Sequence, residues 1–589
     1  MNIDSPVTRR GAIALLSGSL LLAGCSSGEE GTSSKKAKKQ AKIKKAGTSS
    51  SKHLRDKDGI YDVYDDSGIV VMYLTVSRGN SSENTDHTWA EINTYSVYDY
   101  ADMGVKRYQV MGLLQPGDDN GPKPGEVGYG EDAPNATVQV RGQTSSQNEQ
   151  KNYKIELKRG KGKWRQQRTV AINKHMGEGM RFRNKMAYDL IKGIPQMVGL
   201  RTQFVHLWVK DETEESGGSF VDYGIYTQVE QLNKTALEAH GLDKNGHLYK
   251  VNEFDFQRYP DIIKKADDPT YNQADFEGML EIKGDSDHSK LIEMLDALND
   301  ETKKIDDVLD EYFDTENLVY WMAFQLLTGN CDTQNRNCYL YSPLNSKVWY
   351  FLDWDNDGML RKYELKVTGF SDYASWERGV SNYWGNKLFN RALKSKKFVR
   401  ALKRAVADLK SYLAEKRLSK MISHYRSLTE KYLFSAPDVD NMPVTHAEYE
   451  KIAAAIPAEI GENYKSFKES FEKPMPFFIG VPEISDDKIK LVWDASYDFD
   501  AEDITYTVKV ARDYALGDVI FEKHDVVLPE ITFDKPDEGQ YFLYAQAKNA
   551  SGATQEAFDY YVTDEGKHYG MKCFYIQDGK VVEDTYEES

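Results

Sequence analysis

Asp332 and Asn337 stand five positions apart in the polar run Asn330-Cys331-Asp332-Thr333-Gln334-Asn335-Arg336-Asn337. A second acidic run, Asp353-Trp354-Asp355-Asn356-Asp357, follows after two apolar stretches. Phosphoryl transfer uses such a donor set: one carboxylate orients the acceptor hydroxyl, while an amide and a second carboxylate hold divalent cations against the phosphates. Asp332 is the candidate base. Asn337 and Asp355 are the candidate metal ligands, with Asp353 and Asp357 beside them. Alone, an Asp and an Asn at this spacing suit a surface turn equally well, because both side chains favour turns.

Elements on either side are placed to bring these groups together. Leu318 to Leu327 is almost continuously apolar and reads as a buried helix, with Asp314 or Thr315 as its N-cap, that leads straight into the Asp332 loop. Cys338 to Tyr341 and Val348 to Leu352 read as two strands joined through a turn at residues 343–346, a hairpin that returns the second acidic run to the first. Upstream, alternation in Ile69 to Leu74, Thr137 to Arg141, Asn152 to Leu157, Phe204 to Val209 and Tyr223 to Glu230 predicts strands, with a helix at Arg183 to Ile191. The fold class expected is α+β: a β-rich part over residues 57–285, a helical part over 286–472, and two lobes with a cleft between them. Pro474 and Pro476 open a different module at 475–565, whose alternating strands with a core Trp and tyrosines resemble a fibronectin type III sandwich. Residues 566–589 read as an acidic tail, disordered after Tyr575.

Arg9 and Arg10 precede an apolar run from Ala12 to Ala23 that ends in Leu22-Ala23-Gly24-Cys25. That is a bacterial lipoprotein signal pattern over residues 1–25, and its apolar run is shorter than the ~20 residues a membrane span requires. It predicts a chain held to the bacterial cell membrane through lipidated Cys25, on the extracytoplasmic face. Residues 26–56, rich in Ser, Gly and Lys, read as a disordered tether. A net charge of -17 argues against a nucleic-acid partner. After Cys25 only Cys331, Cys338 and Cys573 remain, which favours buried thiols over a disulfide framework, although Cys331 and Cys338 lie close enough in sequence to pair.

The chain resembles the CotH-type kinases from about Val138 to Gly358. The resemblance is carried by Val140-Arg141-Gly142-Gln143-Thr144-Ser145-Ser146, Gln150-Lys151-Asn152-Tyr153, Asn173-Lys174-His175, Arg183-Asn184-Lys185, Gly224 to Gln231, His247-Leu248-Tyr249-Lys250, the Asp332 loop and Trp354-Asp355, in the family's order. It departs at Gln143, where Asn is frequent, at Gln150, where Lys is common, and at Leu352-Asp353, where Pro often precedes the Trp-Asp pair. The resemblance implies an ATP-dependent protein kinase of atypical kinase-like fold, using Mg²⁺ or Mn²⁺ to phosphorylate Ser or Thr of extracytoplasmic proteins. Asp332 takes the catalytic position and Asp355 the metal position, with Asn337 as companion. For the phosphate-binding lysine, Lys151 is favoured over Lys154, because it shares strand parity with Tyr153, Ile155 and Leu157 and so points to the apolar face. Its partner is either nucleotide phosphate or Glu230, the alternative being a strand-end Lys that bends out to water; Arg141 is a further candidate phosphate contact, the alternative being a structural Arg that holds the Ser-rich loop.

A rival reading uses the same acids. Asp353, Asp355, Asp357, Gly358 and Glu364 fit the calcium loop of an EF-hand, with Glu364 at the twelfth position. Against it, the segment before Asp353 is strand-like, whereas an EF loop follows a helix. That alternative makes the chain a non-catalytic, calcium-binding surface protein of adhesion or assembly.

Overall fold

The computed structural model describes residues 54–57, 59–214, 218–369, 373–564 and 566–584. The signal-like segment, Cys25 and the tether up to residue 53 lie outside them. The described residues divide into two compact units, one within 54–369 and 395–464, the other within 373–394 and 465–584. The class is α+β, as the strand and helix patterns predict.

In the first unit, β1 (Ile69–Ser77), β2 (Val110–Asp118), β3 (Gly121–Pro122), β4 (Ala136–Arg141), β5 (Asn152–Leu157), β6 (Thr169–Asn173), β7 (Thr202–Glu212) and β8 (Val221–Glu230) form one sheet. Its order is β1-β7-β8-β6-β5-β4-β2-β3, and β1 also pairs with β2, so the sheet closes on itself. Closure removes the unpaired edges that an open sheet would expose. Val138 and Val140 from β4, Tyr153, Ile155 and Leu157 from β5 and Leu74 from β1 meet inside. The alternation seen in the sequence is the consequence of one face being buried and the other wet. The helix α1 (Arg183–Ile191) is buried along nearly its whole length, Arg183, Asn184 and Lys185 included.

A smaller sheet carries the chemistry, in the order β10 (Leu280–Ile282), β9 (His247–Val251), β11 (Cys338–Ser342), β12 (Tyr350–Asp353). The apolar helix α2 (Thr315–Thr328) packs on it. Asp314 caps α2 by accepting from the Glu316 and Asn317 N–H groups. Asn317 then ties helix to strand, its Oδ1 accepting from Phe351 N–H at 2.8 Å and its Nδ2 donating to Phe351 O at 3.2 Å. Trp321 packs tilted against the Phe351 ring, with 4.9 Å between centroids, and burying aromatic groups of this size contributes roughly 1.5–3 kcal/mol each.

The second unit is a β-sandwich. One sheet has the order β13 (Glu483–Ser485), β14 (Lys488–Val492), β17 (Glu530–Asp534); the other joins β16 (Val519–Val526), β15 (Ile504–Ala511), β18 (Gly539–Asn549), β22 (Met571–Gln577) and β23 (Lys580–Glu583). Trp493, Tyr506, Tyr541 and Phe574 fill the space between them. The tail reading at 566–589 is corrected here: β22 pairs with the central strand β18, and β23 pairs with β22. Phe574 and Ile576 alternate into the core, a signal that the acidic residues flanking them obscured.

Candidate active site

The helix α2 stops because Gly329 takes a left-handed conformation (φ 65°), its N–H returning to Gln325 O. The chain turns at once into the Asp332 loop. At the far end of that loop Asn337 also has positive φ, 55°, a conformation Asn tolerates better than most residues. Its Nδ2 donates to Asp332 Oδ2 at 2.9 Å and to Asp332 O at 3.0 Å. The Asp332 side chain is 44% exposed, with Arg336 Nε at 3.6 Å from Oδ1. It is therefore oriented by Asn337 and reachable from solvent.

The strands β11 and β12 pair antiparallel with Cys338 opposite Asp353. Asn337, one residue before β11, and Asp355, two residues after the last residue of β12, accordingly leave the same end of one hairpin. Asn330 links their loops, its Nδ2 reaching Asp355 O and Asn356 Oδ1 at 3.5 Å each. Asp355 is itself left-handed, φ 54°. Two residues one turn apart on α1 hold it there: Asp355 N–H donates to Tyr188 Oη at 3.1 Å, and Asn184 Nδ2 donates to Asp355 Oδ1 at 3.4 Å. Burial, then the neighbouring charge of Asp357, push the Asp355 carboxyl up to about 7.

Positive charge faces this acid. Arg141, at the end of β4, hydrogen-bonds Asn173 Oδ1; burial lowers its pKa, and the charge of Asp355 is the largest influence in the other direction. Lys250 on β9 lies opposite Tyr339 on β11 and Glu281 on β10. Burial lowers the Lys250 pKa, opposed by Glu281 and Asp355. Among the described residues its ammonium makes no hydrogen bond. His175, left-handed at φ 51°, places Nδ1 at 3.7 Å from Asp357 Oδ2. Although burial pushes its pKa down, Asp357 and Glu178 more than reverse that.

The sequence profile described as "CotH kinase protein" matches residues 138–466, more than half of the chain. The chain belongs to the CotH kinase family. No curated protein matches it. Among solved structures it is similar to "Crystal structure of A Helicobacter pylori proinflammatory kinase CtkA", at 11% identity over 54% of this chain and 94% of that one, with a TM-score of 0.24.

Within this CotH kinase family member, the structure relocates several residues expected at the site. Lys151 does lie on the buried face, 7% exposed, but its ammonium donates to Ser146 O at 2.8 Å and so closes the Ser-rich loop. Lys154 pairs with Glu156 at 2.8 Å, on the solvent side of β5. Glu230 is not Lys151's partner. It is fully buried and bound by Arg201, through both Nε and Nη2, and by His240 Nε2 at 2.8 Å. Asp353, 1% exposed, gives one oxygen to Gln325 and the other to Asn356. Its register opposite Cys338 turns it inward under α2, and burial pushes it up to about 7. It is a structural carboxyl rather than a metal ligand. Among the described residues Cys331, Cys338 and Cys573 form no disulfide.

The calcium loop fails on two of its four acids. Glu364, on the helix α3 (Lys362–Val367), is fully buried, with Arg183 Nη1 at 2.5 Å from Oε2 and both Arg361 Nη2 and Gly179 N–H on Oε1. Among the described residues, no three of Asp353, Asp355, Asp357 and Glu364 bring ligand oxygens within 4.8 Å of one another. A trio that does, Glu430, His446 and Glu450, is bridged by Arg426, which pairs with both glutamates. Asp355, Asp357 and Asn337 remain as an all-oxygen donor set suited to a hard divalent cation. Burial, and after it the repulsion from Asp357, raise Asp355, and both are what such a cation would offset.

Proposed function

We propose that the protein is an extracytoplasmic, lipid-anchored kinase that transfers the γ-phosphoryl group of ATP to Ser or Thr of a protein acceptor. The observation that carries this reading is the hairpin end where Asn337 and Asp355 emerge together, faced by Arg141 and Lys250. Asp355 and Asn337, with Asp357 alongside, would hold Mg²⁺ or Mn²⁺, which would supply positive charge against the phosphates. Arg141 and Lys250 are the cations for phosphate oxygens. Lys250 takes the place that sequence parity gave to Lys151.

Asp332 orients the acceptor hydroxyl and takes its proton. Its exposed carboxylate, fixed by the Asn337 amide, suits that task. The anchoring part of the proposal rests on the Ala12-to-Cys25 pattern and is checked by Cys25→Ser, which should abolish membrane association.

The test of the enzyme is transfer of labelled γ-phosphate from ATP to a generic protein acceptor with Mg²⁺ or Mn²⁺. Asp332→Ala and Asp355→Ala should each remove the signal. Labelling that survives both substitutions would falsify this site.

A further inference from the structure

Arg336 occupies a place in the catalytic loop that the assignment above leaves unused. Its Nε lies 3.6 Å from Asp332 Oδ1, while Asn337 Nδ2 engages the other oxygen, Oδ2, at 2.9 Å. Two consecutive side chains thus approach the two oxygens of one carboxylate, and Asn337 has a left-handed backbone (φ 55°). The Arg336 side chain is 21% exposed, so it is packed rather than trailing in water. Yet among the described residues neither Nη nitrogen has a hydrogen-bond partner. A guanidinium presents five N–H donors in a rigid fork matched to phosphate oxygens, and four of them are on those two nitrogens.

An ordinary i,i+4 ion pair would account for the 3.6 Å contact. It would not account for an unused fork beside the group that receives the proton. In phosphoryl transfer the negative charge spreads over the three equatorial oxygens of the moving group, directly next to the acceptor hydroxyl. A cation pinned to the base is within reach of both.

Resting on the kinase reading above, we propose that Arg336 is a catalytic residue whose Nη groups grip the transferred phosphoryl group while Asp332 accepts the acceptor's proton. The acceptor oxygen forms its bond to the γ-phosphorus as its O–H proton passes to Asp332. The bond from that phosphorus to the β-phosphate oxygen breaks, and ADP leaves with the electron pair. Arg336 neither gains nor loses a proton; it holds equatorial oxygens and keeps Asp332 ionised until transfer.

The experiment uses the full chain with Arg336→Ala and Arg336→Lys. ADP affinity is measured by calorimetry, kcat and KM for ATP by phosphate transfer, and the gain in ADP affinity on adding aluminium fluoride, a mimic of the moving phosphoryl group, by the same calorimetry. Arg336→Ala should keep ADP affinity within about twofold and lower kcat by about 10³-fold, the lower end of the range for arginines that contact a transferring phosphoryl group. It should also lose the fluoroaluminate gain. Arg336→Lys should recover part of kcat, having the charge without the fork.

An Arg336→Ala protein with unchanged kcat and an intact fluoroaluminate gain overturns the proposal while leaving the kinase reading in place. So does one whose ADP affinity and melting temperature fall together with kcat, since that is the signature of a structural strut. A wild-type chain that binds no ADP and transfers no phosphate overturns both.

Discussion

The Asn184 amide spans the Asp355 turn: its Nδ2 donates to Asp355 Oδ1 at 3.4 Å and its Oδ1 accepts from Asn356 N–H at 3.3 Å. One side chain on a buried helix therefore fixes both the carboxylate and the strained backbone that presents it. Tyr188, one turn further along α1, holds the Asp355 N–H from the same side. Groups that orient a metal ligand matter nearly as much as the ligand, typically 10–100-fold in affinity or activity. Asn184→Ala should accordingly weaken Mn²⁺ binding and lower kcat by about that factor while leaving Asp332 untouched. Titration of Mn²⁺ by paramagnetic resonance, beside kcat, checks it; unchanged metal affinity would show that Asp355 holds its position unaided.

The cations separate by what their head groups touch. Lys250 and Arg141 face Asp355, and a charge-assisted hydrogen bond to phosphate contributes about 1.5–3 kcal/mol. Lys250→Ala and Arg141→Ala should each weaken ATP binding by roughly 10–100-fold. Lys154, in an exposed pair with Glu156, should change stability by no more than about 1 kcal/mol and ATP affinity not at all. Lys151→Ala should loosen the Ser146 loop, visible as faster amide exchange there, with a smaller effect on ATP than Lys250→Ala. A greater loss of ATP affinity from Lys151 than from Lys250 would reverse the assignment.

How much of this was legible follows from which interactions are local. The hairpin of β11 and β12, the Asp314 cap and the buried run of α2 are written in alternation, turn residues and apolar length over a few consecutive positions. Lys250 was not legible as a site residue. Its place beside Asp355 depends on β9 pairing with β11, nearly ninety residues downstream, and no single-strand pattern encodes that register. Barrel closure through β1, parallel to β7 and antiparallel to β2, is equally non-local. Glu364 misled because calcium-loop spacing counts residues along the chain. A short helix starting at Lys362 turns that carboxylate inward onto Arg183 instead. Arg183 itself sits in a stretch whose helical spacing was readable, while the two acids it serves, Glu178 and Glu364, were not.

That triad makes a prediction opposed to the calcium reading. Arg183 reaches Glu178 Oε2 at 3.0 Å and Glu364 Oε2 at 2.5 Å, and all three side chains are within 2% of full burial. Removing the cation strands the buried Glu178 carboxylate and leaves Glu364 with only Arg361 and the Gly179 N–H on its other oxygen, a change that costs about 3–5 kcal/mol. Arg183→Ala should therefore lower the denaturation midpoint sharply, and Glu364→Gln should lower it less, by leaving Arg183 with Glu178 alone. Added Ca²⁺ should restore neither. A Ca²⁺-dependent rise in melting temperature in wild type that disappears in Glu364→Gln would return the loop to calcium.

The cluster around Glu230 should set the pH limits of stability. Although burial opposes the charged forms, Glu230 and the neighbouring Asp56 raise His240 to about 9. His240 and Arg201 in turn lower Glu230 to about 2. For His240 the folded value lies above the unfolded one of about 6.5, so its contribution is complete below pH ~6.5 and is lost as pH rises through about 9. For Glu230 the folded value lies below the unfolded one of about 4.3, so its contribution is complete above pH ~4.3 and is lost as pH falls toward about 2. Urea unfolding between pH 5 and 10 should therefore show stability declining above pH ~6.5 in wild type. His240→Gln should remove that alkaline slope and be less stable at pH 6, where wild type has the full ion pair. An alkaline slope unchanged in His240→Gln would mean that the imidazole is neutral between Asp56 and Glu230, and that Arg201 alone balances the buried glutamate.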